Sequence, residues 1–213
     1  MTPNNLVNMA VVKGLDAIAV CDHNCAKNLP ACKAVADACG LIFVPGLEVE
    51  TREEVHVLCL FPQLEAALEF GQWIYTCLPK VFNRPDFFGP QIIMDEQDEP
   101  IEAEERLLIQ STTLSIDQVV ARCRQDGGVP IPSHINRTSN SLLSNLGFVP
   151  QELAFTSLEV YPGLPITGVT MEDYHIIYNS DAHNLADISE REHFITSYGK
   201  KPSGLLKYLK QPK

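Results

Sequence analysis

Several short apolar segments of this sequence run directly into histidine or acidic residues. Residues 15–20 lead to Asp22 and His23, residues 41–44 lead to Glu48, residues 128–132 lead to His134, and residues 174–178 lead to Asp181 and His183. Imidazole and carboxylate groups together suit zinc, manganese or iron. A single Asp-His pair at the end of a strand is more often structural, but several such pairs in register favour a metal site.

The apolar segments themselves predict the elements that would position these side chains. A short, continuous apolar run bounded by turn residues indicates a strand buried on both faces. Residues at the carboxyl ends of such strands face the mouth of an α/β barrel or open α/β sheet. The sequence therefore predicts one rim that carries the acidic residues and histidines.

Helical patterns separate the predicted strands. Thr2, Pro3 and Gly14 mark the start and end of a first helix. Further helices are predicted over residues 30–39, 64–78, 115–124 and 138–146, and from Pro202 onward. Ser115 and Gln118 have the spacing of a capping box. This alternation of strands and helices indicates an α/β, barrel-like domain.

Residues 41–44 and 47–50 read as strands broken by Pro45 and Gly46, and residues 55–61 read as the next strand. A three-residue connection over residues 51–53 would place Glu48 directly opposite His56. An even-numbered connection would put the two side chains on opposite faces, because side chains alternate along a strand. We expect the first arrangement, or a bulge with the same effect.

Residues 80–113 differ from the rest of the chain. Residues 83–90 are rich in proline, glycine and phenylalanine, and residues 95–105 are densely acidic. We expect one domain over residues 1–213 with an insertion here, a loop that includes at most one helix and covers part of the mouth. A solvated charged segment is the alternative interpretation of the same composition.

Composition limits the classes of protein to which the chain can belong. The 213 residues carry a net charge of −11 and seven cysteines, with no apolar run of membrane-spanning length and no signal pattern at the N-terminus. These features predict a cytoplasmic protein with reduced thiols and no membrane partner. The negative charge also predicts that a nucleic-acid polymer is an unlikely partner.

Taken jointly, the motifs resemble the PHP family, named for polymerase and histidinol phosphatase. The matching pieces are Gly14–Val20 with Asp22-His23-Asn24, Pro45–Val49, His56-Val57-Leu58, Pro132-Ser133-His134 and Asn179–His183. The resemblance implies a distorted (β/α)7, TIM-like barrel with up to three divalent metal ions, and the hydrolysis of phosphoesters.

The resemblance also implies a role for each site residue. Glu48 would bridge two metals, and His56 and His134 would complete one site with it. Asp181 would ligate a second metal, and His23 and His183 a third. Glu48, Asp181 and His183 would be the catalytic residues, and Asp22 would orient a ligand. From the residues themselves, Arg137 could bind a substrate phosphate, with a surface salt bridge as the alternative.

One departure from the family pattern is large. PHP proteins open with a strand that carries His-x-His, yet no histidine precedes His23 here. We expect that the first strand of the barrel is missing from this chain, that Met1 is an internal start or the chain a short form, and that one metal site is complete. Unpaired strand edges would favour a homo-oligomer.

Three functions remain open at this point. The first is a metal-dependent phosphoesterase acting on a small phosphorylated metabolite or nucleotide through metal-activated water. The second is a catalytically impaired, metal-binding module with a binding or regulatory role. The third is an amidohydrolase-type enzyme acting on C–N bonds, although the Pro-Gly-Leu-Glu and Ser-Asp-Ala-His pieces fit the PHP family better.

Overall fold

The structure is a computed structural model that describes residues 1–213. The helices are α1 (Pro3–Val12), α2 (Leu29–Cys39), α3 (Leu64–Cys77), α4 (Pro85–Phe88), α5 (Ile116–Gln125), α6 (Leu142–Asn145) and α7 (Pro202–Lys210). The strands are β1 (Ala17–Val20), β2 (Ile42–Glu50), β3 (His56–Leu60), β4 (Ile92–Met94), β5 (Pro100–Ala103), β6 (Val129–Pro132), β7 (Ser157–Val160) and β8 (His175–Tyr178). None of the helices is long and apolar enough to cross a membrane.

The strands form three separate sheets. The largest has the order β1-β2-β3-β6, with β1 parallel to β2 and with β3 antiparallel to both of its neighbours. Strands β7 and β8 form a parallel pair, and β4 and β5 form an antiparallel hairpin. The architecture is therefore mixed α/β, but the sheets do not close into the predicted seven-stranded barrel.

Two prolines explain the gap between β6 and β7. The amide of Ser133 donates to the carbonyl of His56 on the β3 side. Because amides alternate along a strand, the nitrogens of Pro130 and Pro132 face the opposite side, where proline has no proton to donate. A regular ladder with β7 cannot form there, and β6 ends the four-stranded sheet.

Strand β2 runs unbroken through Pro45 and Gly46, where the sequence predicted an interruption. The carbonyl of Pro45 accepts the amide of Phe61 just beyond the end of β3, so the missing donor interrupts no interior pairing. A Cβ atom on Gly46 would lie 2.7 Å from Leu60 Cδ2 and 2.8 Å from Cys21 Sγ. Gly46 thus permits close packing within a continuous strand.

Most helix boundaries agree with the local signals. The Thr2 side chain accepts a hydrogen bond from the amide of Asn5, and both halves of the Ser115–Gln118 capping box form. The predicted helix over residues 138–146 is shorter, because Ser141 caps a single turn that begins at Leu142. Residues 80–113 hold a hairpin as well as a short helix, which the acidic composition did not indicate.

The two faces of the large sheet have different coverings. On one face, α1, α2, α3 and α5 bury a core that includes Val7, Phe43 and Phe70. On the other face, Leu206 and Leu209 of α7 pack against residues of β2, β3, β6 and β8. Glu48 and His56 lie on this second face, since they alternate in phase with Val44 and Leu58.

Candidate metal centre

Four predicted residues meet at one end of the large sheet. His23 follows β1 and pairs with Glu48 of β2 through an isolated parallel bridge. His56 is the first residue of β3, and His134 follows β6. The parallel and antiparallel pairings of these strands bring all four side chains to one place.

The hairpin between β2 and β3 differs in register from the prediction. Glu50, not Glu48, lies directly opposite His56, and Glu48 lies opposite Leu58. The connection contains the five residues 51–55, an odd number, so Glu48 and His56 still share a face. Glu48 therefore approaches His56 diagonally.

Glu48 lies at the centre of the cluster. Its Oε2 is 3.3 Å from Nδ1 of His23 and 3.4 Å from Nδ1 of His56, and its Oε1 is 3.5 Å from Nε2 of His134. Potential ligand atoms of His23, Glu48 and His56 all lie within 4.8 Å of one another. In a tetrahedral zinc site with bonds of about 2.1 Å, ligand atoms are about 3.4 Å apart. The observed separations match that spacing.

Opposite charges accumulate in this cluster. Although burial acts to raise it, hydrogen bonds with His134 and His56 hold the pKa of Glu48 well below its usual value. Burial alone would lower the pKa of His56, but hydrogen bonds with Glu48 and Glu50 raise it to about 9. Burial lowers the pKa of His23. An ionised Glu48 therefore lies beside a neutral His23, whose ring nitrogen is available to a ligand.

Two imidazole nitrogens in the cluster have no hydrogen-bond partner. Nδ1 of His23 and Nδ1 of His134 are buried and unpaired. Nδ1 of His23 is near Glu48, but the direction of that contact is unsuitable for a hydrogen bond. Buried polar atoms are normally satisfied, so these nitrogens call for a further partner. A divalent cation on the His23–Glu48–His56 side would supply one to His23, and the nitrogen and oxygen donor set fits zinc, manganese or iron.

A second group of predicted residues lies beside the cluster. Nη1 of Arg137 donates to Oδ2 of Asp181 at 2.6 Å, and Nδ1 of His183 lies 2.9 Å from the Asp181 carbonyl. The rings of His183 and His23 are 6.1 Å apart. A cavity of about 410 Å³ is lined by Arg137, Tyr161, Pro162, Ser180, Asp181, His183, Asp187 and Ser189. The Arg137 guanidinium also stacks 4.2 Å above the Tyr161 ring.

Backbone strain coincides with both groups. His134 has a φ of +29° and Asp181 a φ of +47°. Residues other than glycine rarely adopt this region, and such strain persists where the surrounding structure holds it. The loops after β6 and β8 are thus held in specific conformations that present His134 and Asp181.

Two acidic residues near the cluster were not among the predicted site residues. Oε2 of Glu50 lies 3.6 Å from Nε2 of His56. Glu159 in β7 accepts hydrogen bonds from the His134 amide at 2.8 Å and from Nδ2 of Asn179 at 2.6 Å. Burial, together with the nearby charge of Glu48, raises the pKa of Glu159 to about 7. A lone acid within a short, otherwise uncharged strand was the available signal for Glu159.

The side chain of Asp22 contacts a residue outside the cluster. Its Oδ2 accepts a hydrogen bond from Nδ2 of Asn28 at 3.3 Å, and burial raises its pKa. Asn28 in turn accepts a hydrogen bond from the amide of Met94 in β4. The side-chain hydrogen bond of Asp22 therefore leads toward the β4–β5 hairpin, whereas its backbone carbonyl accepts the Glu48 amide at 3.2 Å. Its role in orienting a metal ligand stays a prediction.

Comparison with known proteins gives likeness of fold only. No protein-family model matches the chain, and no curated protein is significantly similar to it. The lesion-specific Endonuclease Q from Pyrococcus furiosus is 18% identical with a TM-score of 0.53, over 87% of this chain and 44% of that one. A protein from Bifidobacterium adolescentis, proposed to be a metal-dependent phosphoesterase, is 18% identical with a TM-score of 0.54, over 86% of this chain and 83% of that one. The chain therefore spans less than half the length of the endonuclease and most of the length of the second protein.

These likenesses correct one prediction from composition. The structure of Endonuclease Q has also been solved with a 27-mer duplex that has an abasic lesion at the active site. That protein is 17% identical to this chain, with a TM-score of 0.52, over 85% of this chain and 44% of that one. This fold therefore occurs in a protein that binds DNA, so the inference from a net charge of −11 that nucleic acid is an unlikely partner is wrong. Net charge averages over the whole surface and does not describe the local field at one site.

The likeness and the cluster agree with each other. The chain shares a fold with a lesion-specific endonuclease and with a proposed metal-dependent phosphoesterase. It also carries a His23–Glu48–His56 cluster that can hold a metal ion.

Proposed function

We propose that this chain is a metal-dependent phosphoesterase of the PHP type. The observation that carries the proposal is the partly buried His23–Glu48–His56 cluster, whose donor atoms lie within 4.8 Å of one another at the end of the large sheet. His134 adds a third imidazole to the cluster, 3.5 Å from Glu48. The shared fold with a proposed metal-dependent phosphoesterase supports the same interpretation.

The chain's own residues divide the work of hydrolysis. A bound zinc, manganese or iron ion would polarise a phosphoryl oxygen and lower the pKa of a coordinated water. His23, Glu48, His56 and His134 would hold that ion. Arg137 lies at the rim of the adjacent cavity, where its guanidinium can bind two phosphoryl oxygens in place of the Asp181 carboxylate.

Asp181 and His183 complete the proposed site. Arg137 neutralises Asp181 in the absence of substrate, and a phosphoester that takes over Arg137 would free the Asp181 carboxylate to ligate a second cation. The imidazole of His183 is 62% exposed at the same rim, where it can donate a proton to a departing alkoxide. Both residues are among the catalytic residues implied by the PHP resemblance, which makes His183 a metal ligand rather than a proton donor.

The substrate is proposed as a class. A cavity of about 410 Å³ has room for a small phosphorylated metabolite or a nucleotide. Its open position at the rim also admits a phosphodiester within a longer strand. Residues 80–113 would form an insertion in a single domain and cover part of this mouth.

A phosphate-release assay tests the proposal. Metal-loaded protein is incubated with a panel of phosphomonoesters, nucleotides and oligonucleotides that carry an abasic site, and phosphate or cleaved strand is quantified. We expect activity that is lost with Glu48→Gln and kept with Glu69→Gln, the same chemical change at an exposed position of α3.

The outcomes of this assay separate the candidate functions. Hydrolysis of at least one substrate that depends on Glu48 supports the phosphoesterase. Metal binding without hydrolysis of any substrate in the panel would contradict it and favour a non-catalytic, metal-binding module.

A further inference from the structure

We infer that Glu159 is the positioning residue that sets the place of His134 and ties it to the loop bearing Asp181. The inference rests on the proposed function, since it concerns how the same site is assembled. Glu159 lies on β7 and is only 4% exposed. It is not one of the residues whose donor atoms converge on the candidate metal position.

Both oxygens of the Glu159 carboxylate are engaged by hydrogen-bond donors. Oε2 accepts the backbone amide of His134 at 2.8 Å, and Oε1 accepts Nδ2 of Asn179 at 2.6 Å. The first contact reaches the loop after β6, and the second reaches the end of β8. The Glu159 side chain on β7 therefore connects the loop after β6 to the end of β8.

This carboxylate compensates for the absence of a regular ladder. Pro130 and Pro132 leave β6 without donors on the side that faces β7. Across this gap, the amide of Ile135 donates to the carbonyl of Glu159 at 3.0 Å. The side chain of Glu159 supplies a second connection at the neighbouring residue, so residues 134 and 135 are fixed against β7.

The same connection explains the strained conformation of His134. A φ of +29° is unfavourable for a histidine and needs a compensating interaction. The bond from the His134 amide to Glu159, at 2.8 Å, satisfies a buried donor that would otherwise be unpaired. It holds the backbone where the imidazole reaches Glu48 and His56.

The link to β8 extends this control to the second half of the site. Asn179 lies two residues before Asp181, which is itself strained with a φ of +47°. Displacement of Glu159 would therefore loosen both His134 and the segment that presents Asp181. Asn136 reinforces the arrangement, because its side chain donates to the Tyr161 carbonyl and accepts the Tyr161 amide.

Two substitutions of Glu159 separate geometry from charge. Glu159→Leu removes both acceptors, and it leaves the buried His134 amide and the partly buried Asn179 amide group without these partners. Glu159→Gln removes the charge but keeps an acceptor for His134, and Asn179 can rotate its amide to accept from the new NH₂ group. If Glu159 acts by positioning, Glu159→Gln should keep the zinc affinity and the slow exchange of the His134 amide that Glu159→Leu loses.

The experiment compares zinc affinity by calorimetry and exchange of the His134 amide by NMR, in the full chain well below its melting temperature. We expect Glu159→Leu to weaken zinc binding by about 10-fold or more, the range seen when groups that orient metal ligands are lost. We expect amide exchange at His134 to accelerate by a similar factor. Glu159→Gln should stay within about 3-fold of the wild type in both measurements.

Three results would overturn the inference. The first is Glu159→Leu with unchanged zinc affinity and unchanged exchange. The second is Glu159→Gln as damaging as Glu159→Leu, which would mean that the site needs the charge and not the bonds. If Glu159→Leu does not fold, Asn179→Ala replaces it, because Asn179 is only partly buried. Faster exchange of the His134 amide is expected in that variant. Unchanged exchange of the His134 amide in Asn179→Ala would be the third result that overturns the inference.

Failure of the proposed function would look different. A wild-type chain that binds zinc and passes these comparisons, yet hydrolyses no phosphoester, would contradict the phosphoesterase but not the role of Glu159. If the wild type binds no zinc, the exchange measurement alone decides, because it does not depend on a metal.

Discussion

Two polar clusters in this molecule are each centred on a buried glutamate, and the two glutamates are almost equally exposed. The clusters differ in whether all of their buried polar atoms have hydrogen-bond partners. Glu104, which follows β5, is 4% exposed and Glu48 is 5% exposed. Glu104 accepts hydrogen bonds from Nζ of Lys27 at 2.6 Å, from the Tyr75 hydroxyl at 2.9 Å and from the Arg106 amide at 3.0 Å. Around Glu48, by contrast, nitrogens of two histidines remain buried and unpaired.

The contrast distinguishes a structural cluster from a candidate binding site. The Lys27–Glu104 cluster is complete within the chain and fastens residues 102–106 to α3 and to the loop after β1. The Glu48 cluster has donor atoms in excess of the protein's own partners. We therefore expect substitutions in the first cluster to change stability and substitutions in the second to change metal affinity.

The largest effect is expected for Glu48→Gln. Loss of the central carboxylate removes an anionic ligand and the charge that draws three imidazoles together. Zinc affinity should fall by about 100-fold or more, beyond the 10- to 100-fold range for groups that only support a ligand. Calorimetric titration with zinc measures this.

Glu104→Gln is the matched control for that substitution, because it makes the same change at an equally buried glutamate. It should leave zinc affinity unchanged. Equal losses of affinity in the two variants would erase the distinction between the clusters.

Lys27→Met should decrease stability and leave zinc affinity unchanged, whereas Glu48→Gln should decrease zinc affinity. It leaves the buried Glu104 without its ammonium partner, although Tyr75 and the Arg106 amide remain. The free energy of unfolding should decrease by about 1–3 kcal/mol, the usual result of removing one partner of a buried polar group. Urea denaturation measures the decrease. Zinc affinity should not change, and a change of more than about 10-fold would place Lys27 in the metal site instead.

Acidification should affect the Lys27–Glu104 cluster in a defined direction. Burial acts to raise the pKa of Glu104, but hydrogen bonds from Lys27, the Arg106 amide and Tyr75 outweigh it, and the net pKa is lowered from 4.5. Its folded pKa is thus below its unfolded pKa. The stabilisation that Glu104 contributes is present at pH values above its usual pKa, and it is lost as the pH falls through the lowered pKa.

Urea midpoints from about pH 6 to about pH 3 test this linkage. The decrease in stability on acidification should be smaller in Glu104→Gln than in the wild type. An identical decrease in the two proteins would contradict the assignment of the shift to Glu104.

The smallest effect is expected for Asp22→Asn, and it decides to which cluster Asp22 belongs. Its recorded side-chain hydrogen bond is to Asn28, which is linked to Met94 of the hairpin. We expect zinc affinity within about 3-fold of the wild type. A loss of 10- to 100-fold would return Asp22 to the ligand-orienting role that the PHP resemblance implies.

Local signals predicted the elements well and the long-range pairing less well. Thr2 and the Ser115–Gln118 box fixed helix starts because capping depends on neighbours a few residues away. The register that sets Glu50 opposite His56 depends on the length of a turn, which the sequence left open. The open sheet follows from the direction in which two proline nitrogens face, and this emerges only once β6 has paired with β3.

The same division holds for the site. Strand-end positions indicated His23, Glu48 and His134, the resemblance to the PHP family added His56, and the structure brings these four together. The pattern did not indicate Glu159, because its importance comes from two hydrogen bonds to segments 25 and 20 residues away. The ion pair between Arg137 and Asp181 likewise joins residues 44 positions apart, and no spacing rule connects them.

The proposed function depends on the claim that the Glu48 cluster binds a divalent metal ion. Crystals soaked with zinc and measured on both sides of the zinc absorption edge test it most directly, because the anomalous difference map locates the ion. We expect a peak at about 2.0–2.2 Å from donor atoms of His23, Glu48 and His56 in the wild type, and no such peak in Glu48→Gln. A wild-type map with no peak at this cluster, or the same peak in both proteins, would contradict the claim.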